Sequence, residues 1–288
     1  MTEPIRTAQG MRFVAVLLPE TQKILEGQGY YGPMIEGLNA GLMARQMFMR
    51  PIQCLHDYQK EHFLHSPAGM YAGVVFLGTL FKFELFIRAV VEHVPGPKVM
   101  LDHQIPGLAI HSVCEDSVTG MRLATEHLLA LGHRRLAYLD LGNPQANPWK
   151  REGLNQALRA AGLPELARGW VAGCRDNFSD VAAALDWFMG LEPRPTAMLC
   201  CNDTRALLLL QAAAERGLRV PQDLSIAGYG DTAVRSRKSA TLTSVWVDPA
   251  LMGRRAAELI TGEAQAKPAV VLVAPELAAR GTTAAPPG

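Results

Sequence analysis

The sequence predicts an α/β protein built on parallel β-sheets flanked by helices. The clearest signal lies between Thr196 and Asp231, where two strand patterns enclose a helix pattern. The first strand, Ala197 to Cys201, is apolar throughout, and Asn202 supplies an N-cap for a long apolar helix that ends near Gly217. A strand–helix–strand unit of this kind builds a parallel sheet.

Polar residues follow both strands of this unit. Asn202 follows the first strand, and Asp231 follows the second strand, Leu224 to Ala227, after a Gly-Tyr-Gly turn. Ligands of open parallel sheets bind at the carboxyl ends of the strands. We therefore expect Asn202 and Asp231 to border a small-molecule site.

Other short apolar runs predict further strands at 13–18, 73–77, 98–101, 136–139, 170–173, 242–247 and 270–273. Asp102 follows the run that ends at Leu101, which makes it another candidate at a carboxyl end. Helices are predicted between the strands, with Asp116 and Asp248 as N-caps of two of them.

The composition is typical of a folded protein, and the charge predicts that this chain by itself has little affinity for nucleic acid. The chain has 288 residues, 49% of them hydrophobic and 19% charged, which is enough for two lobes of ordinary size. Its net charge is only +1, and it has no Lys/Arg stripe of the kind that contacts phosphates.

Cysteine usage and apolar run lengths predict a cytoplasmic protein. Five cysteines form no C-x-x-C pair, which suits a reducing compartment better than a disulfide framework. The apolar runs fall short of the ~18 residues that a membrane helix needs, and the N-terminus lacks the apolar segment of a signal peptide.

Three stretches of this chain resemble LacI-family transcription regulators. The stretch 196–231 is similar to the family's ligand-binding core, T-A-(I/M)-x-x-x-N-D…A…G-x-x-(V/I)-P-x-D-(I/L)-S-(V/I)-x-G-(Y/F)-D-(D/N). The string HLLALGHRRLAYL at 127–139 and the segment PELAARGT at 275–282 resemble two further family patterns. One departure is Gly230, because the family has Asp after the aromatic residue.

The resemblance implies two Rossmann-like lobes with parallel sheets, the type I periplasmic-binding-protein architecture, joined by three crossings. It places the N-terminal lobe at 11–114 and 248–268, and the C-terminal lobe at 115–247 and 269–288. Residues 1–10 are similar to the end of the family's hinge, which follows a helix-turn-helix DNA-binding domain. We expect that domain to belong to a longer protein, although a binding domain alone is the alternative.

The resemblance also implies ligand-binding residues. Tyr30 and Tyr31 match aromatic residues at the start of the first family helix, and Thr79 matches a position that offers a polar group. Phe178 is a candidate for stacking on the ligand, and Trp246 lies where the family lines its cleft. A packing role is the alternative for the two tyrosines.

A clamping arginine of the family is replaced in this chain. The family helix begins R-x-x-G-(F/Y), and Lys150 occupies the Arg position, with Arg151 beside it. Lysine lacks the paired donors of a guanidinium. Lys150 could act as a point charge, Arg151 could replace it after a local shift, or neither could reach the ligand.

The function implied by the resemblance is that of a sensor. A small polar effector, a sugar or sugar derivative, would bind between the lobes of a homodimer. Operator DNA would be bound only through a helix-turn-helix domain that this chain does not contain. Two alternatives are a periplasmic-type sugar-binding protein of a transporter and a sensor domain fused to another DNA-binding head.

Enzymatic and metal-dependent functions receive little support from the sequence. It contains no G-x-S-x-G, H-E-x-x-H, Walker A or Rossmann glycine motif. His56, His62 and His65 lie near one another, but their spacing fits no standard metal site. We therefore predict no catalytic residues, no metal, no cofactor and no membrane partner.

Overall fold

The computed structural model describes two compact units. The first unit comprises Met1–Glu115 and Asp248–Val273, and the second comprises Asp116–Val247 and Ala274–Gly288. The residues described are 11–18, 30–141, 148–166, 171–175, 177–232, 240–262 and 267–287.

The first unit is built on a six-stranded sheet with the order β11-β5-β4-β3-β1-β2. Every pair of neighbouring strands in this sheet is parallel. The strands are β1 (Arg12–Leu18), β2 (Met47–Gln53), β3 (Gly73–Leu77), β4 (Lys98–Leu101), β5 (His111–Glu115) and β11 (Val270–Val273).

Four α-helices accompany this sheet: α1 (Tyr31–Met43), α2 (Asp57–Leu64), α3 (Glu84–His93) and α8 (Pro249–Thr261). A 3₁₀ segment, Gly78–Phe83, lies between β3 and α3. The fully apolar sequence of β3 reflects its position, because strands with helices on both faces bury every side chain. Val74 and Phe76 join one of the unit's buried clusters.

The second unit has a sheet of the order β12-β10-β9-β8-β6-β7. Its strands are β6 (Leu136–Leu141), β7 (Val171–Cys174), β8 (Ala197–Cys200), β9 (Ser225–Tyr229), β10 (Thr243–Trp246) and β12 (Glu276–Ala278). The edge strand β12 runs antiparallel to β10, whereas the other pairs are parallel. The helices are α4 (Ser117–Ala130), α5 (Pro148–Ala160), α6 (Phe178–Met189) and α7 (Asp203–Glu215).

The predicted α/β fold with two mostly parallel sheets is confirmed. The predicted caps are present: Asp116 accepts from the Thr119 amide at 3.0 Å, and Asp248 accepts from the Ala250 amide at 2.9 Å. No bounds were predicted for strand β2 or for helices α2 and α3, although Phe86, Ile87 and Val90 of α3 form one buried face. The predicted strand at 170–173 is observed as β7, and residue 170 lies outside the described part of the chain.

One predicted boundary differs from the structure. The sequence analysis assigned residues 269–288 to the C-terminal lobe, but β11 pairs in parallel with β5 of the first unit. Val273 pairs with Glu115, so that β11 and β5 end at the same level of the sheet. The chain therefore enters the second unit after Val273. Residues 1–10, predicted as a hinge, lie outside the described residues.

His133 joins the C-terminal segment to the amino ends of two strands of the second unit. Its ring is fully buried, with Nδ1 at 2.9 Å from Thr196 Oγ1 and Nε2 at 2.8 Å from the Ala284 carbonyl. Ser225 Oγ lies 3.1 Å from the same Nε2. This arrangement gives His133 a structural role in the second unit.

The pH dependence of stability should report on this histidine. Burial lowers the pKa of His133, against a smaller raising effect of the Ala284 carbonyl. The unfolded chain then binds the proton more readily, so the stabilisation is complete above the unfolded pKa of ~6.5 and is lost as the pH falls below it. Urea denaturation at pH 7.5 and 5.5 should show a smaller loss for His133→Gln than for the native chain.

His127 provides the control for that experiment, because burial also lowers its pKa and it bonds Thr283 instead. A variant with His127→Gln should remove its own share of the pH dependence and, because the charge of His127 also lowers the pKa of His133, a part of the His133 share. Equal pH dependence in His133→Gln and the native protein would contradict the assignment.

Candidate functional site

Two tyrosines converge on one aspartate at the carboxyl edge of the first sheet. The Tyr30 hydroxyl donates to Asp102 Oδ1 at 2.9 Å, and the negative charge of Asp102 also acts on Tyr31. The two rings lie edge to face, with centroids 5.4 Å apart. Asp102 follows β4 directly and has a left-handed backbone, with φ of 73°. These three predicted residues therefore form one cluster.

The phenols of this cluster remain protonated at neutral pH. Burial is the main cause that raises the pKa of Tyr30 and of Tyr31 well above its ordinary value. The negative charges of Asp102 and Glu115 raise both pKa values further. Both phenols therefore act as neutral hydrogen-bonding groups beside two carboxylates.

Glu115 and Cys114 also belong to this region and were not predicted, whereas His103 directly follows the predicted Asp102. Cys114 and Glu115 end β5, which pairs with β4 beside Asp102. Burial raises the pKa of the Cys114 thiol to about 12 and lowers the pKa of His103. Strand β5 is short and only half apolar, so its carboxyl end gave no usable signal. We call Tyr30, Tyr31, Asp102 and Glu115 the first edge.

Thr79 was predicted to offer a polar group in the same unit. Its backbone belongs to the 3₁₀ segment that follows β3. Its side chain lies outside what the structure describes, so the ligand contact remains a prediction.

The second unit holds a lysine against an aromatic ring at the carboxyl edge of its sheet. Lys150 is buried on α5, and its Nζ donates to the Cys201 carbonyl at 3.1 Å. The same Nζ lies 3.5 Å from the centroid of the Tyr229 ring. A cation over an aromatic face is attracted by the ring quadrupole. Lys150 therefore joins α5 to the ends of β8 and β9.

Arg151 is held by a different partner. Its Nη2 donates to Asp140 Oδ2 at 2.6 Å, and the Asp140 side chain is 5% exposed. Burial raises the pKa of Tyr138 on the same strand, and the negative charge of Asp140 raises it further. Lys150 is therefore held at the end of β8, whereas Arg151 is held at the end of the neighbouring strand β6.

Asn202 caps the helix that follows β8, as predicted. Its Oδ1 accepts a hydrogen bond from the Arg205 amide at 2.9 Å, and the residue is half-buried. Within the described chain, its Nδ2 has no hydrogen-bond partner. The cap fixes the side chain while its amide nitrogen remains a donor. We call Lys150, Asn202 and Tyr229 the second edge.

Asp231 is engaged by an arginine. Arg280 binds its two carboxylate oxygens through Nη1 at 2.7 Å and Nη2 at 3.0 Å, and Asp231 is 7% exposed. This bidentate pair ties the C-terminal segment to the end of β9 and favours a structural role over the predicted ligand contact. The preceding Gly230 has φ of 107°, which explains why Asp is absent there, since this conformation is cheap only for glycine.

Phe178 and Trp246 lie at element ends, as their predicted roles require. Phe178 begins α6 and is half-buried against the apolar core of the second unit, so packing accounts for its position. Trp246 is the last residue of β10 and is half-buried. Its predicted contact with a ligand remains a prediction.

The described residues show neither a membrane helix nor a metal cluster. No described helix is both long enough and apolar enough to span a bilayer. Among the described histidine, cysteine and acidic side chains, no three are grouped as metal ligands would be. In the candidate histidine group, the His65 ring instead bonds the Glu61 carbonyl at 2.7 Å.

Comparison with known proteins defines the class. A family model for the periplasmic binding protein-like domain matches residues 125–283, more than half of the chain. The chain therefore belongs to this family, in the branch formed by the ligand-binding domains of LacI-family transcription regulators.

Individual relatives carry regulator names. The chain is 25% identical to the HTH-type transcriptional regulator GalS of Salmonella typhimurium over 232 residues, which cover 80% of this chain and 68% of GalS. It is 31% identical to the ribose operon repressor of Haemophilus influenzae over 165 residues, covering 57% of this chain and 49% of the repressor. The chain thus spans between about half and two thirds of these relatives.

Solved structures agree with this assignment. The complex of the transcriptional regulator CelR with cellobiose has a TM-score of 0.79 and 26% identity, covering 94% of this chain and 84% of CelR. A LacI family regulator from Mycobacterium smegmatis has a TM-score of 0.78 and 26% identity, covering 95% and 99% of the two chains.

Replacing Asn202 should separate capping from ligand binding. Asn202→Ala removes the acceptor for the Arg205 amide and should cost about 1 kcal/mol of the free energy of unfolding. Asn202→Asp keeps the acceptor and places a negative charge at the helix N-terminus, so its stability should match the native value. Urea denaturation of both variants checks this, and equal losses would contradict the capping role.

A second prediction concerns the support of Tyr229. A Cβ on Gly120 of α4 would clash with the Tyr229 hydroxyl oxygen, so Gly120→Ala should destabilise the second unit. Adding Tyr229→Phe removes that oxygen and should recover part of the loss. A double-mutant cycle of unfolding free energies measures the coupling. Additive effects of the two substitutions would contradict the contact.

Proposed function

We propose that this chain is the sensor domain of a transcription regulator that binds a small polar effector, most simply a sugar or sugar derivative. The effector contacts the first edge and the second edge and changes how the two units are oriented. The observation that carries the proposal is the Tyr30–Asp102 hydrogen bond, with the Tyr31 ring packed edge to face against Tyr30, at the strand ends where this fold binds ligands.

The second edge supports the same proposal. Asn202 caps its helix through Oδ1, which leaves Nδ2 as a donor. Lys150 is held over the Tyr229 ring. Hydroxyl-rich ligands need fixed donors and acceptors of this kind, with aromatic surface beside them. A ribose operon repressor and a CelR–cellobiose complex are among the similar proteins, which makes sugars the first class to test.

Regulation follows from linkage. An effector shifts an equilibrium between two states only by the difference in its affinities for them, typically about 1–3 kcal/mol or roughly 5–150-fold. We propose that the chain acts as a homodimer in the cytoplasm and controls operator DNA through a helix-turn-helix domain elsewhere in its protein. In this role it is not an enzyme and needs no cofactor.

A transporter-type sugar-binding protein is the second candidate, because the family model is named for periplasmic binding proteins. Both candidates bind a ligand, so ligand binding does not separate them. The regulator names of the relatives favour the sensor. Repression of a reporter by the complete gene product, relieved or strengthened by the effector, would decide for it.

The first test is a thermal-shift screen against sugars, sugar phosphates, nucleobases and amino acids. A ligand at a hundredfold excess over Kd stabilises the native state by roughly 2.7 kcal/mol. We expect a shift from one chemical class, and a Kd at least tenfold weaker for Asn202→Asp, which keeps the cap but loses the Nδ2 donor. Unchanged affinity in Asn202→Asp would contradict the placement of the ligand at the second edge.

A further inference from the structure

The ammonium of Lys150 makes its contacts inside the second unit. Its Nζ donates to the Cys201 carbonyl at 3.1 Å and lies 3.5 Å from the centroid of the Tyr229 ring, and the residue is only 9% exposed. Lys150 stands in the first turn of α5, where the helix dipole disfavours a cation. The carbonyl oxygen and the ring face both attract the ammonium and offset that effect.

The carbonyl that Lys150 binds belongs to the peptide group between Cys201 and Asn202. On the other side of Cys201, its amide donates to the Leu139 carbonyl at 2.9 Å. Asn202 in turn accepts from the Arg205 amide at 2.9 Å. Lys150 thus holds the backbone at the point where β8 leads into α7, directly before the residue that carries the Nδ2 donor.

The Tyr229 ring is held from two sides. Lys150 lies over one face of the ring, and a Cβ on Gly120 would clash with the hydroxyl oxygen, so that oxygen packs against α4. Tyr229 is 2% exposed. Because the ring is buried, the contact between Lys150 and Tyr229 is internal to the second unit.

We propose that Lys150 is a positioning residue, which fixes the Cys201–Asn202 peptide group and the Tyr229 ring and does not contact the effector. This inference rests on the proposed function and assigns the polar contact at the second edge to Asn202. Arg151 is bound to Asp140 at 2.6 Å, so neither cation of this turn clamps the effector. The effector is recognised at this edge through an amide in place of a charged group.

The first test needs no ligand. ¹H–¹⁵N spectra report the side-chain amide of Asn202, whose signals are assigned by their loss in Asn202→Asp. Lys150→Met removes the ammonium but retains most of the side chain, so we expect the Asn202 signals to shift or to broaden. Arg151→Met is the matched control, because it removes the neighbouring cation and leaves the contacts with Cys201 and Tyr229. The Asn202 signals should stay in place in that variant.

Two results of this comparison would overturn the inference. One is a set of Asn202 signals that Lys150→Met leaves unchanged. The other is an equally large change in Arg151→Met, which would reflect a general effect of removing a cation from α5. Should Lys150→Met fail to fold, Lys150→Gln replaces it, because glutamine loses the charge over the ring but retains a donor.

A second test separates positioning from direct contact. Ribose and cellobiose, the sugars named for two of the similar proteins, are titrated calorimetrically into the native chain, Lys150→Met, Asn202→Ser and the double variant. Serine retains a capping oxygen and loses the amide donor. If Lys150 acts through Asn202, Lys150→Met weakens binding in the native background and adds no further loss in the Asn202→Ser background.

The outcomes distinguish this inference from the proposed function. Losses that add in the double variant, or no loss in Lys150→Met alone, overturn the inference and leave the proposed function standing. Sugar binding that Asn202→Ser does not weaken contradicts the proposed placement of the effector at the second edge. In that case, or when neither sugar binds, the amide spectra still decide whether Lys150 positions Asn202.

Discussion

Parallel strand pairing is the constraint on which both candidate edges depend. Register between β3 and β4 places Leu77 beside Leu101, and register between β6 and β8 places Leu139 beside Cys200. Residues that follow these strands must therefore emerge at a common edge of each sheet. The chain uses that edge for polar side chains, and everything proposed about its function follows from which side chains they are.

Local sequence signals predicted the framework of these edges well. Asn202 was recognisable as a cap because a polar residue separates a buried strand from an apolar helix, and the cap is present. Long-range partners were not predictable in the same way. The Arg280–Asp231 pair and the Lys150–Tyr229 contact join residues far apart in sequence, and only tertiary packing decides them. For this reason the sequence suggested Asp231 as a ligand residue, whereas the fold supplies it with a partner.

The two edges differ in chemistry, and this difference gives the proposed sensor its specificity. The first edge holds two phenols and two carboxylates, while the second edge holds the ammonium of Lys150 and the Nδ2 donor of Asn202. A ligand that hydrogen-bonds to both edges binds most tightly to the conformational state in which both edges can contact it. That difference in affinity is the only quantity that can drive a conformational signal.

The most direct measurement of this account is amide hydrogen exchange with and without an effector found by screening. We predict that the effector slows amide exchange at the ends of both sheets, around Asp102 in the first unit and around Asn202 in the second. Protection confined to one unit would contradict the claim that the effector contacts both edges. Protection at neither edge would place the binding site elsewhere.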